Sequence, residues 1–101
     1  MVFSDPMAIR FTWDAEKATA NRRQHRVAFE EALTVFGDPL ARIHDDPSHS
    51  EAEPREIIVG HSVQGRLLLV SFTERRGAIR LISARRATRH ERQDYEKTTR
   101  S

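Results

Sequence analysis

The sequence predicts an α+β domain in which two helices pack on one face of a mainly antiparallel sheet and a third helix follows at the C-terminal end. Three observations carry that expectation. Phe29, Ala32, Leu33 and Phe36 fall at i, i+3, i+4 and i+7, an apolar stripe that needs a surface to pack on. Three strand-like runs, 55–62, 66–73 and 78–86, are joined by connections too short for anything but antiparallel neighbours. Thr88 to Glu91 then reads as a T-x-x-E capping box, the opening of a helix.

In chain order, Ile9 to Trp13 alternate and carry β-branched and aromatic side chains, which marks a strand. Asp14 is placed to cap a helix from Ala15 to Gln24, a thinly apolar one with alanines at 15, 18 and 20. The chain breaks near His25-Arg26-Val27, with His25 set to meet the negative end of the helix dipole. Ala28 is a poor cap for the helix that follows. Gly37-Asp38-Pro39 stops that helix, and Leu40 to His44 form a short strand. Residues 45–54 are acidic and polar with two prolines, the signature of an exposed loop. Val63-Gln64-Gly65 and Glu74-Arg75-Arg76-Gly77 are the turns of a meander. The last helix runs through Tyr95 to about Lys97, and Trp13 is expected in the core. The element order is β-α-α-β-β-β-β-α.

At 101 residues, one domain with one modest core is expected over 1–101. No apolar stretch approaches the ~20 residues of a membrane-spanning helix, and residues 1–6 lack the pattern of a secretory signal. The absence of cysteine excludes disulfides and thiolate zinc sites and fits a cytoplasmic protein. The five histidines, at 25, 44, 49, 61 and 90, show no i, i+4 pair of the helical zinc type. The net charge of +2 hides a division, because residues 1–56 carry seven Lys/Arg against eleven Asp/Glu, and 57–101 carry ten against four. Fifteen of the seventeen basic residues are arginine. Guanidinium forks hold phosphate in a bidentate way and stack on bases, so an arginine-rich half suits a nucleic-acid ligand, although an arginine-preferring composition with ordinary solvated charges accounts for the count as well.

Three blocks stand out: Phe11-Thr12-Trp13-Asp14-Ala15-Glu16-Lys17 with Asn21; His25, Val27, Phe29-Glu30-Glu31-Ala32 and Val35-Phe36-Gly37-Asp38; and Thr73-Glu74-Arg75 with Ile79 to Thr88, Glu91-Arg92 and Tyr95. Together, in this order and spacing, they resemble the BrnT family of bacterial toxins. The chain departs from the family at Gln24-His25-Arg26-Val27-Ala28, where a glycine and a small polar cap are usual. The resemblance implies a RelE-like fold and cleavage of RNA without a metal or other cofactor. It also implies inhibition by a ribbon-helix-helix antitoxin, through which alone the system contacts DNA.

Cleavage of that kind uses the RNA's own 2′-hydroxyl as nucleophile, so the protein must hold the backbone, stabilise phosphoryl charge and move two protons. Arg75, Arg80 and Arg85 are the candidate phosphate ligands, with Arg55 and Arg66 behind them. Strict alternation sends Arg80 and Arg85 to opposite faces unless the strand bulges. Glu91 is either a general base or simply the N3 member of its capping box. Tyr95 is either a core-edge anchor or a stacking or proton-relaying group. His61 has the side-chain type for proton transfer, and a plain surface histidine is its other reading. A rival function, RNA or protein binding without catalysis, needs only the arginines.

Overall fold

The computed structural model describes residues 9–46 and 54–99. The expected loop at 45–54 and the absence of a signal at 1–6 thus fall largely or wholly outside the described residues. The elements are β1 (Arg10–Thr12), α1 (Ala15–His25), α2 (Phe29–Ala32), a 3₁₀ segment (Leu33–Gly37), β2 (Arg42–Asp45), β3 (Glu56–His61), β4 (Leu67–Arg75), β5 (Ala78–Arg86) and α3 (Arg89–Thr99). The five strands form one sheet in the order β1-β5-β4-β3-β2. All neighbours are antiparallel except β1 and β5, which run parallel.

Local chemistry explains the boundaries. Asp14 starts α1 by accepting from the N–H groups of Glu16 and Lys17 at 2.8 and 3.4 Å. The helix ends with Arg26 in the left-handed region at φ 58°, where the family's usual glycine is missing. Ala28 gives α2 no side-chain cap. The expected second α-helix survives for one turn only and then tightens to 3₁₀. Tightening changes the buried set: Phe29, Ala32 and Val35 are fully buried at a spacing of three, while Leu33 and Phe36 are only partly so. The second hairpin is also tighter than expected. β4 runs on to Arg75, and Arg76-Gly77 alone make the turn at φ 53° and 77°, the positive pair of a type I′ connection.

One face of the sheet is sealed by α1, α2 and the 3₁₀ segment over Phe11, Ile58, Leu68, Val70, Phe72, Leu81 and Ala84. Phe36 stacks edge-on between Phe11 and Phe72, both at 5.1 Å, and Trp13 packs on Phe29 at 5.8 Å. Gly60 lets the 3₁₀ segment close down on β3, since a Cβ there would lie 2.9 Å from Cβ of Ala41 and 3.1 Å from Val35. Buried Asn21 ties α1 to β5. Its Nδ2 donates to the carbonyls of Val27 and Ala84 at 2.9 and 2.8 Å, and its Oδ1 accepts from Ala84 N–H at 3.0 Å. β1 pairs with β5 only from Ala78 to Arg80, so the Asn21 amide takes the place of a longer β1 beside Ala84. On the other face α3 covers only one end, where Tyr95 packs with Val59 and Leu67.

Two stability outcomes follow from this packing. Phe29→Ala is expected to lose about 3–5 kcal/mol, and Leu33→Ala distinctly less because that side chain is only half-buried. Asn21→Ala strands buried backbone groups at about 1–3 kcal/mol apiece and is expected to cost at least ~2 kcal/mol. Urea midpoints at constant slope measure all three; a Leu33→Ala loss equal to that of Phe29→Ala contradicts the 3₁₀ assignment.

Candidate active site

The open end of the second sheet face is built by a bulge. Ser71 pairs with Ser83 but Phe72 pairs with Leu81, so Ile82 is an extra residue in β5. Leu81 and Ala84, three apart, both reach the sealed core. Arg80 and Arg85, five apart, share the opposite face, because their cross-strand partners Thr73 and Leu69 lie an even four residues apart on β4. Strict alternation would part the two arginines unless the strand bulged, and the bulge is what sets them on one face. At about 3.3 Å per residue, the two arginines stand roughly 13–16 Å apart along the strand.

Between them lies a cleft of about 410 Å³ lined by Asp46, Arg55, Ile57, Leu69, Ser71, Ile82, Ser83 and Arg85. Thr73 Oγ1 donates to the carbonyl of Pro54 at 2.8 Å and pins the chain before Arg55 to β4. Arg75 lies at the end of β4 opposite Ala78, in a strand and not within the turn as expected. Arg75, Arg80 and Arg85 thus lie along one face, with Arg55 at its side.

Arg85 is held in place. Nη1 and Nη2 donate to Oε1 and Oε2 of Glu91, each at 2.8 Å. Glu91 also accepts from Thr88 N–H at 2.8 Å, and its own N–H reaches Thr88 Oγ1 at 3.2 Å, which completes the capping box. The Arg85 fork, with the Thr88 N–H, outweighs burial and holds the Glu91 carboxyl at about 2. A carboxylate so acidic is a weak base at neutral pH; its visible work is to orient Arg85.

His61 and Tyr95 gather elsewhere, around Asp38, a residue that belongs in the sequence to a helix stop and to the second family-like block and carries no sign there of these two partners. Asp38 Oδ2 accepts from His61 N–H at 2.7 Å and from the Tyr95 hydroxyl at 3.2 Å, and lies 3.7 Å from His61 Nδ1. The two rings meet edge-on at 5.4 Å. Burial and then the Asp38 charge push the Tyr95 phenol up, so it remains protonated at neutral pH. Burial acts to raise Asp38, but the His61 and Leu40 N–H groups and the Tyr95 hydroxyl prevail and hold it below the ordinary range. His61 pairs with Leu67 and Arg80 with Thr73, six residues away on β4, so this cluster stands roughly 20 Å from the Arg80 end.

Arg66 is placed structurally. It forks onto buried Glu31, through Nε to Oε2 at 2.9 Å and Nη2 to Oε1, while Ser62 Oγ donates to Oε2 at 2.7 Å. Arg66 lowers the Glu31 pKa despite burial, and the network ties the β3–β4 turn to α2. His25 sits half-buried in the last turn of α1. Among the described residues, no group of three His, Cys, Asp or Glu could hold a metal ion, and no helix is long and apolar enough to cross a membrane.

Among the described residues, a mixed α/β arrangement of three helices and a five-stranded sheet, sealed on one face and arginine-lined on the other, is the architecture that these observations define. The family model described as "Ribonuclease toxin, BrnT, of type II toxin-antitoxin system" matches residues 13–91, and the chain belongs to that family. The crystal structure of the Brucella abortus ribonuclease toxin BrnT is similar in fold, with a TM-score of 0.61 at 21% identity, over 78% of this chain and 96% of that one. No curated protein sequence matches the chain.

The Glu91 carboxyl carries a pH signature. Its ordinary value is 4.5 and its folded value about 2, so its contribution is complete above 4.5 and is lost as the pH falls through 2. Glu31 and Asp38 are shifted in the same direction. Glu91→Gln is expected to lower stability at pH 7 and to flatten the fall in stability between pH 5 and pH 2.5, read from urea unfolding. A slope identical to that of the wild type counts against the Arg85–Glu91 pair.

Proposed function

We propose that this chain is an endoribonuclease toxin that lays one RNA strand along the open sheet face and cuts it by attack of the RNA's 2′-hydroxyl on the adjacent phosphorus, which expels the next nucleotide's 5′-oxygen and leaves a 2′,3′-cyclic phosphate and a 5′-hydroxyl. The observation that carries the reading is the β5 bulge, which turns Arg80 and Arg85 to the same side. Their separation suits two different phosphates of a single strand. Arg85 takes the reacting phosphate, because its guanidinium is pre-oriented by Glu91 and that end of the face adjoins α3. Arg80, Arg75 and Arg55 guide the rest of the backbone.

In this reading no metal takes part. His61, steered by Asp38, takes the proton of the 2′-hydroxyl while water protonates the departing 5′-oxygen, and Tyr95 serves as a packed neighbour whose phenol donates to Asp38. The helices on one face and α3 on the other accord with a RelE-like arrangement. The cognate antitoxin, of ribbon-helix-helix type, covers the arginine face with acidic side chains and carries any DNA contact of the pair. The site of action is the cytoplasm. A second reading, an RNA-binding module without cleavage, is favoured by one observation: His61 stands on β3, with β4 between it and Arg85.

Incubation of purified protein with RNA separates the two readings. Arg85→Ala is expected to slow cleavage roughly 10²–10³-fold, and Arg80→Ala to weaken RNA binding, with each variant still folding cooperatively. His61→Ala should lower the rate and remove one limb of the pH–rate profile. Tyr95→Phe should retain activity while Tyr95→Ala loses it through packing. Unchanged cleavage in folded Arg80→Ala, Arg85→Ala and the double variant sinks the proposal; RNA bound but left intact by the wild type selects the binding module.

A further inference from the structure

We propose that a second cleft on the same face, between β2 and α3, is a guanine-binding subsite that selects where RNA is cut. The proposal takes its purpose from the RNA-cleaving reading, but the binding event stands on its own chemistry. The cleft holds about 300 Å³ and has Val59 and Leu69 as its floor, the Tyr95 ring as one side and Arg42, His44 and Asp94 at its rim. That volume lies at the lower limit of ligand sites, roughly 300–1,000 Å³, and suits one planar base better than a larger molecule.

The walls are set before anything binds. Tyr95 is fixed through its hydroxyl to Asp38 at 3.2 Å. Arg42 Nη2 donates to the Thr98 carbonyl at 2.6 Å, which ties β2 to the end of α3. Asp94 meets His90 Nε2 at 3.3 Å, one turn back along the helix, and a carboxylate with two oxygens keeps capacity for further donors. An apolar floor with opposed charges at the rim accepts a flat group whose edge carries both donors and acceptors.

The position is that of a neighbouring nucleotide. Leu69 lines both clefts, and the Arg85–Glu91 pair stands between them, Arg85 facing one and Glu91 the other. A strand whose phosphate meets Arg85 thus has its adjoining base within reach of Tyr95 and Arg42. Guanine matches the rim. Its N1–H and N2–H donate side by side to a carboxylate, and its O6 and N7 accept from a guanidinium fork. Adenine presents an amino group where guanine has O6, and the pyrimidines have no N7.

The test titrates the whole protein with each of the four nucleoside 5′-monophosphates while following backbone amide chemical shifts. GMP is expected to move Val59, Leu69 and Tyr95 and to bind about tenfold tighter than AMP, CMP or UMP, within the discrimination of about 1–3 kcal/mol typical of a bidentate base contact. Asp94→Asn should remove most of that preference, and in mapped RNA digests should spread cuts that cluster beside guanine in the wild type. Equal binding of all four nucleotides, GMP shifts confined to the Ser71–Ser83 cleft, or an unaltered preference in Asp94→Asn overturns the subsite. Selective GMP binding by a protein that leaves RNA intact supports the subsite and defeats the cleavage reading. Cleavage without base preference does the reverse.

Discussion

One unpaired residue in β5 governs both faces of the sheet. Ile82 has no partner in β4, and its insertion reverses the alternation partway along the strand. On one side, Leu81 and Ala84 both drop into the apolar layer under the helices. On the other, Arg80 and Arg85 rise together. Ala84 then presents its N–H and C=O to Asn21, so the bulged strand is also where α1 is anchored. A regular β5 would bury one of the charged groups or expose one of the apolar ones.

The arginines divide into two kinds despite identical chemistry. Arg66 and Arg85 each grip a carboxylate with a guanidinium fork, Glu31 and Glu91 respectively. The first pair lies under the helices and fixes a turn. The second lies at the edge of α3, where the guanidinium also borders an open cleft. A bidentate partner therefore does not by itself separate structural from functional arginine; what the remaining side of the fork faces does.

Much of the fold was legible because its signals are local. Asp14, the Thr88–Glu91 box, Gly77 and the alternation of Ile9 to Trp13 act over a few residues, and each element appears in its expected order. The features that escaped depend on distant partners. The 3₁₀ tightening that buries Val35 instead of Leu33 is permitted by Gly60, on another strand. Arg66 reads as a free cation until Glu31, 35 residues earlier, closes on it. Asp38 looks like part of a helix stop, and only the fold brings His61 and Tyr95 to it. The bulge has no glycine to announce it, so alternation leaves open whether Arg80 and Arg85 share a face, and only the pairing with β4 decides it.

The parallel pairing of β1 with β5 also sets a schedule for synthesis. The two strands lie roughly 70 residues apart in the chain, with the rest of the sheet between them. On a ribosome, β1 and α1 emerge with no sheet to join, because β4, the strand on β5's other side, is also made late. Asn21 can reach the nearby Val27 carbonyl, but its two bonds to β5 wait until Ala84 has cleared the exit tunnel. Long-range pairings of this sort form late and slowly. The arginine face, which exists only once β5 is seated, is thus assembled after every other strand of the sheet has been made, and the earlier elements of a nascent chain stand without it.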